Sequence, residues 1–235
     1  MRTPPRPPSL PPRGPTPPRG PTPPRTQAPL RPAPRKSGSI TLPPEQAPGF
    51  LTRARQMLTQ PKREWNAING EFANAPAIFR GYVVPVSAVG PVAALAGTVL
   101  FGERGTLFGM VETSLGAAVQ DSIAHYLLGL ASVWVLAVAI EFLAPYFGGA
   151  ANRVQALKVV AYGSTPAWVC GILGLVPRLA PYGLIGFLWT LALVAGGAPI
   201  LMKAQGDQAK AFGLVTAVAT AMVALISEGL ARAFS

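Results

Sequence analysis

Two side chains could do chemistry because of where they fall. His125 and Glu141 lie within residues 123–144, a stretch that is otherwise apolar or small. An ionised group at the centre of a bilayer costs from about 2.5 to more than 10 kcal/mol, so such a residue marks a proton relay, a solute path or a structural ion pair. The two are 16 positions apart, hence about 24 Å along a helix and about 160° around it, and cannot form one relay on that helix. His125 follows Asp121 by four residues, the spacing of an ion pair near the membrane surface. Glu141 falls near the other end of the same stretch, within reach of the interface or of Arg153 or Lys158. The other apolar runs hold no Asp, Glu, His, Lys or Arg in their middles, which is thin provision for proton-coupled transport.

The inventory of reactive groups is otherwise short. One Cys and one His supply neither an internal disulfide nor a standard zinc set. No Ser/His/Asp set, no His-x-x-x-His and no phosphate-cradling glycine loop is present, so neither an enzyme nor a cofactor is expected. Cys170, inside an apolar run, reads as a small packing residue.

The elements that would position these groups follow from composition. Of the 27 prolines, 18 fall in the first 48 residues, and eight of the 20 basic residues precede Ser37, with no acid among them. Residues 11–26 read PPRGPTPPRGPTPPRT, a repeat that supports neither a helix nor a central strand. Residues 1–48 are therefore expected to be a disordered, Pro/Arg-rich tail. Met1-Arg2-Thr3-Pro4 opens without the roughly 7–15-residue apolar core of a signal peptide, so the tail is expected to stay cytoplasmic. There its arginines would attract anionic lipid headgroups or a protein partner. With no aromatic residue interleaved among them, specific nucleic-acid binding is not expected.

Mean hydropathy is +0.36 even with that tail included, so the remainder suits lipid better than water. Residues 50–80 predict two amphipathic juxtamembrane helices divided at Pro61. Phe50, Ala54, Met57 and Leu58 share one face of the first, with Arg53 and Arg55 outside it; Trp65, Ile68 and Phe72 share one face of the second, with Lys62 and Arg63 exposed. Trp65, Lys62 and Arg63 would then anchor the segment at the membrane surface; packing against the protein's own cytoplasmic side is the alternative. Residues 81–101 contain no charge and can cross about 30 Å of hydrocarbon. Four further runs, 123–144, 159–176, 182–202 and 211–227, complete an all-α bundle of five transmembrane helices over residues 81–235. Residues 106–119 are half-hydrophobic, and fit either an interfacial segment or the start of the second span.

Orientation follows from charge. With the N-terminus inside, that side carries 17 of the 20 basic residues and the other side only Arg104, Arg178 and Arg232. The C-terminus is then outside. Arg outnumbers Lys 15 to 5, a usage that suits a GC-rich bacterial genome and hence a bacterial cytoplasmic membrane. Gly163, Ala167 and Gly171 recur every four residues, as do Gly90 and Ala94, predicting close helix packing within the chain or in a homo-oligomer. Pro85, Pro91, Pro166 and Pro199 predict kinks, with Thr165 placed to satisfy a carbonyl freed by Pro166.

Several stretches together resemble one family. LTQPKREWNAINGEFANAPAIFRGY at 58–82 resembles the entry of the Yip1 domain in its bacterial branch. ALKVVAYGSTP at 156–166 resembles that family's third-span opening. Pro177 and Pro181 flank a turn where the family places a Pro, and Gly196-Gly197 through Lys203 to Lys210-Ala211 resembles the end of its fourth span. The resemblance implies a five-span helical membrane protein with a cytoplasmic N-terminus. Eukaryotic members act in vesicle trafficking and bind prenylated Rab-type GTPases; their Asp-Leu-Tyr-Gly-Pro-like stretch is absent before the first span here. The expected role is thus a non-enzymatic membrane protein that organises membrane or recruits partners at the cytoplasmic face. The competing role is a small-solute transporter or channel lined by the kinked third and fourth spans and Glu141.

Overall fold

The computed structural model describes residues 50–106 and 109–233. The tail over 1–48 and its repeat lie outside the described residues.

Two short helices come first, α1 (Phe50–Thr59) and α2 (Pro61–Gly70). Pro61 opens α2 at a position where its missing N–H costs no helical bond. Among the described residues five helices or helix runs follow that are long and apolar enough to cross a membrane: Ala75–Phe101, Leu115–Phe147, Arg153–Leu175, Pro177–Met202 and Gly206–Ala233. Each begins or ends a few residues beyond its charge-free centre, and polar caps open the first three. The Asn74, Ser114 and Asn152 side chains accept the N–H groups of Ala77, Ala117 and Gln155 at 2.8, 3.3 and 3.0 Å. Large apolar side chains such as Val92, Leu127, Leu188, Leu214 and Ile226 are exposed around the spans, a surface suited to lipid.

Two expectations are corrected. Residues 106–119 form neither one interfacial segment nor one helix start. Thr106 ends strand β1 (Glu103–Thr106), which pairs antiparallel with β2 (Gly109–Glu112), and the second span begins at Leu115. Phe72 does not continue the Trp65–Ile68 face, because α2 stops at Gly70 and Phe72 is fully exposed.

Successive spans alternate in direction, giving the bundle a neck side, which carries α1 and α2, and a hairpin side. The connection between the second and third spans meets the end of the fourth on the neck side, where the Ala150 N–H donates to the Met202 carbonyl at 2.7 Å. On the hairpin side Gly105 lies against the Pro177 carbonyl.

The third span is central: 56% of its apolar window is buried, against 22–39% for the others. Small residues let its backbone approach two neighbours. A Cβ on Gly171 would lie 2.6 Å from Gly90 Cα, and one on Gly97 would lie 2.5 Å from the Gly174 carbonyl oxygen. Gly163 admits Val194 of the fourth span. The small-residue series is thus occupied within the chain. Pro166 removes the N–H that would reach the Tyr162 carbonyl, and the Thr165 hydroxyl donates to that carbonyl at 2.6 Å. At Pro85 the helix instead widens over Phe79–Val83.

Packing is uneven along the bundle. The largest fully buried side chains, among them Met57, Trp65, Ile140, Leu157, Met202 and Phe212, gather toward the neck side. The hairpin side leaves open volume between the spans.

Candidate functional site

On the neck side the controlling residue is Arg53, the side chain that its helical position alone would leave exposed. It is only 2% exposed. Its guanidinium donates to Glu64 of α2 at 2.5 Å and to both oxygens of Glu71 at 2.5 and 2.7 Å, and it lies over the Tyr162 ring, 5.2 Å from the centroid. Burial alone would push its pKa down; the hydrogen bond and charge of Glu71, with Tyr162 and Glu64, outweigh that and hold it above its ordinary value. Lys158, one residue before the predicted start of the third span at 159, is buried within that span. Its ammonium donates to the carbonyls of Ile68 and Glu71 at 3.0 and 2.7 Å, closing the C-terminal end of α2, where a cation is favoured.

These contacts match the packed alternative for the neck. α1 and α2 are seated on the bundle. Trp65 is buried against Gly197 of the fourth span, where an added Cβ would lie 2.4 Å from the indole. It is a packing residue and does not meet headgroups as the anchor reading expected. Lys62 and Arg63 remain exposed.

Glu141 lies at the neck-side end of the second span and pairs with Arg153. It lines neither of the two cavities described below.

His125 and Asp121 belong to a larger constellation on the hairpin side. His125 Nδ1 is 2.9 Å from the Asp121 carbonyl oxygen and 3.3 Å from its carboxylate. Its Nε2 is 3.0 Å from Glu228 of the fifth span. Arg104 of β1 pairs with Asp121, and Arg232 donates to Glu228 at 2.9 Å. Five ionisable side chains from the hairpin, second span and fifth span thus form one alternating chain. Burial pushes the Arg104 pKa down, with the nearby charge of Arg232 acting the same way and Glu228 against it. Among the described residues no three His, Cys, Asp or Glu side chains converge as metal ligands; His125 bridges its two carboxylates instead.

Glu228 lies one residue beyond Ser227, where hydropathy predicts the fifth span to end, and the helix runs on to Ala233. The signal was present: Glu228 and Arg232 stand four apart, as do Asp121 and His125.

This constellation borders two adjoining cavities. The outer, about 770 Å³, is lined by Arg104, Asp121, Glu228 and Arg232 with small and apolar residues such as Gly90 and Gly171. The deeper, about 240 Å³, runs between the second, third, fourth and fifth spans past Ser132, Trp168 and Val223. His125, Ala167, Phe187, Ala224 and Glu228 line both.

A family model described as the Yip1 domain matches residues 55–227. No curated protein and no solved structure matches the chain.

Proposed function

The chain belongs to the Yip1 domain family, and from that premise we propose that it is a non-catalytic, multi-pass membrane protein that presents a basic tail to acidic partners at the cytoplasmic face. The observation that carries this reading is the Arg53 lock. Residues 1–48 join covalently to α1, and α1 is fixed to α2 and to the third span by Arg53, Glu64, Glu71 and Tyr162. A tether is useful only if its root is held, and a buried, doubly paired guanidinium holds it.

The neck side faces the cytoplasm in this proposal, since 17 of 20 basic residues sit there or in the tail. The membrane is a bacterial cytoplasmic membrane, as the Arg-rich composition suggests. The partners are anionic headgroups or an acidic protein surface. A transport path through Glu141 finds no support in its position beside Arg153.

The test uses the full chain and a form lacking residues 1–48, each reconstituted in zwitterionic nanodiscs, with capture of separate vesicles containing an anionic phospholipid as the readout. Capture is expected to fall at least roughly tenfold on truncation, given about 1 kcal/mol for each basic residue near an anionic surface, and to weaken with added salt. Equal capture by both forms contradicts the lipid arm. Crosslinking from the tail in native membranes, with identification of the captured species, tests the protein arm.

A further inference from the structure

The hairpin-side cavities take no part in tail presentation, yet they share lining residues and are chemically divided. We propose that they form a binding site for a membrane lipid with a zwitterionic headgroup, whose headgroup lies among Arg104, Asp121, Glu228 and Arg232 and whose acyl chain enters the deeper limb.

Three observations carry this. The first is access. Leu184 of the fourth span and Leu225 of the fifth line the outer cavity and are nevertheless exposed, Leu225 by 71%. Apolar rim residues on two neighbouring spans place an opening toward the bilayer, a route for a lipid already dissolved there.

The second is the deeper limb. It is walled largely by Leu, Val, Trp and Phe side chains, and the hydroxyls of Ser132, Ser227, Thr190 and Thr220 are already engaged, leaving that of Ser164. Ser132 donates to the Leu128 carbonyl at 2.7 Å and is 2.5 Å from Ser227 Oγ. Thr220 donates to the Thr216 carbonyl at 2.7 Å, and Thr190 accepts the Ala167 N–H at 3.2 Å. A polar solute would find few free partners there and would lose its hydration. An alkyl chain loses nothing.

The third is charge. The mouth holds two guanidinium groups and two carboxylates beside His125, so it is close to neutral overall while both signs stand side by side. Each arginine has more donors than its ion pair uses, leaving them for a phosphate. The Glu228 carboxylate, which stands partly exposed, can meet an ammonium. A multiply charged anion would be repelled by Asp121 and Glu228, whereas a phosphoethanolamine headgroup matches both signs.

The test uses the full chain in vesicles containing a phosphatidylethanolamine with a photoactivatable group on its acyl chain, followed by mapping of the labelled peptides. Labelling is expected to concentrate in 117–132, 183–190 and 220–232. Ala224→Trp, which fills the junction of the limbs, and the double change Arg104→Gln with Arg232→Gln are each expected to lower it about tenfold, the effect of losing one good contact. A phosphatidylglycerol probe with the same chain should label these peptides far less. Competition on the unmodified chain covers the case of a misfolded variant: excess unlabelled phosphatidylethanolamine should displace the probe and free phosphoethanolamine should not. Even labelling around the lipid-facing surfaces, equal labelling by the glycerol headgroup, or displacement by the free headgroup would each overturn the proposal, the last in favour of a water-soluble ligand.

Discussion

Replacing Arg53 by Ala is expected to free the neck from the bundle. The guanidinium is shared between Glu64, itself buried, and Glu71, and removing one partner of a buried ion pair typically costs about 3–5 kcal/mol because the remaining charge is left uncompensated. Few single changes outside the spans would cost more. Arg53→Lys should recover only part, since an ammonium cannot fork to two carboxylates and loses the planar contact with Tyr162. Limited trypsin digestion in detergent reads the outcome directly. In the parent protein cleavage after Arg55, Lys62 and Arg63 should be slow, although all three are exposed, because α1 and α2 must unfold locally to enter a protease. In Arg53→Ala cleavage should be fast while the spans stay intact. Unchanged digestion would mean that Trp65 and Met57 hold the neck without the lock.

Gly97→Val should be comparably damaging for a different reason. The first and third spans touch backbone to backbone here. A Cβ at position 97 would lie 2.5 and 2.7 Å from the carbonyl oxygens of Gly174 and Leu175, and neither atom is the end of a flexible side chain. Overpacking of this kind costs about 1–3 kcal/mol or more, and within lipid no hydrophobic gain offsets it, because packing itself drives association. Thermal unfolding in detergent should show a clear fall in Tm for Gly97→Val and a smaller one for Gly97→Ala. Gly116→Ala, where nothing lies within 4 Å of the added carbon, serves as the control and should be neutral or slightly stabilising. Equal Tm values for Gly97→Ala and the control would show that the spans do not meet as closely as described.

The five spans were legible because lipid imposes a one-dimensional rule: about 20 apolar residues in a row, read directly from composition. Their ends were less so, since Ser114 and Asn152 act through backbone capping that hydropathy does not register. The hairpin was missed because eight short residues, Glu103–Thr106 and Gly109–Glu112, carry no sustained alternation. The neck shows the limit most clearly. Helical periodicity put Arg53 on the outer face, and so it would be on an isolated helix; its burial depends on Glu71, 18 residues away, and on Tyr162 far along the chain. Lys158 was equally unreadable, because its partners are backbone carbonyls and leave no mark on residue type. Of the hairpin-side constellation, the i,i+4 pair of Asp121 and His125 could be seen, whereas Glu228 required knowing that the fifth span runs on to Ala233.

The roles proposed for the tail, the lock and the hairpin-side cavities require the neck and the hairpin to lie on opposite faces of one membrane. Single cysteines placed in a Cys170→Ala background test this most directly: Arg55→Cys and Gln208→Cys on the neck side and Met110→Cys on the hairpin side, all at exposed positions. With a membrane-impermeant maleimide applied to intact cells, Met110→Cys should label at once, and Arg55→Cys and Gln208→Cys only after permeabilisation. Labelling of Met110→Cys and Arg55→Cys from the same side would contradict the five-span account.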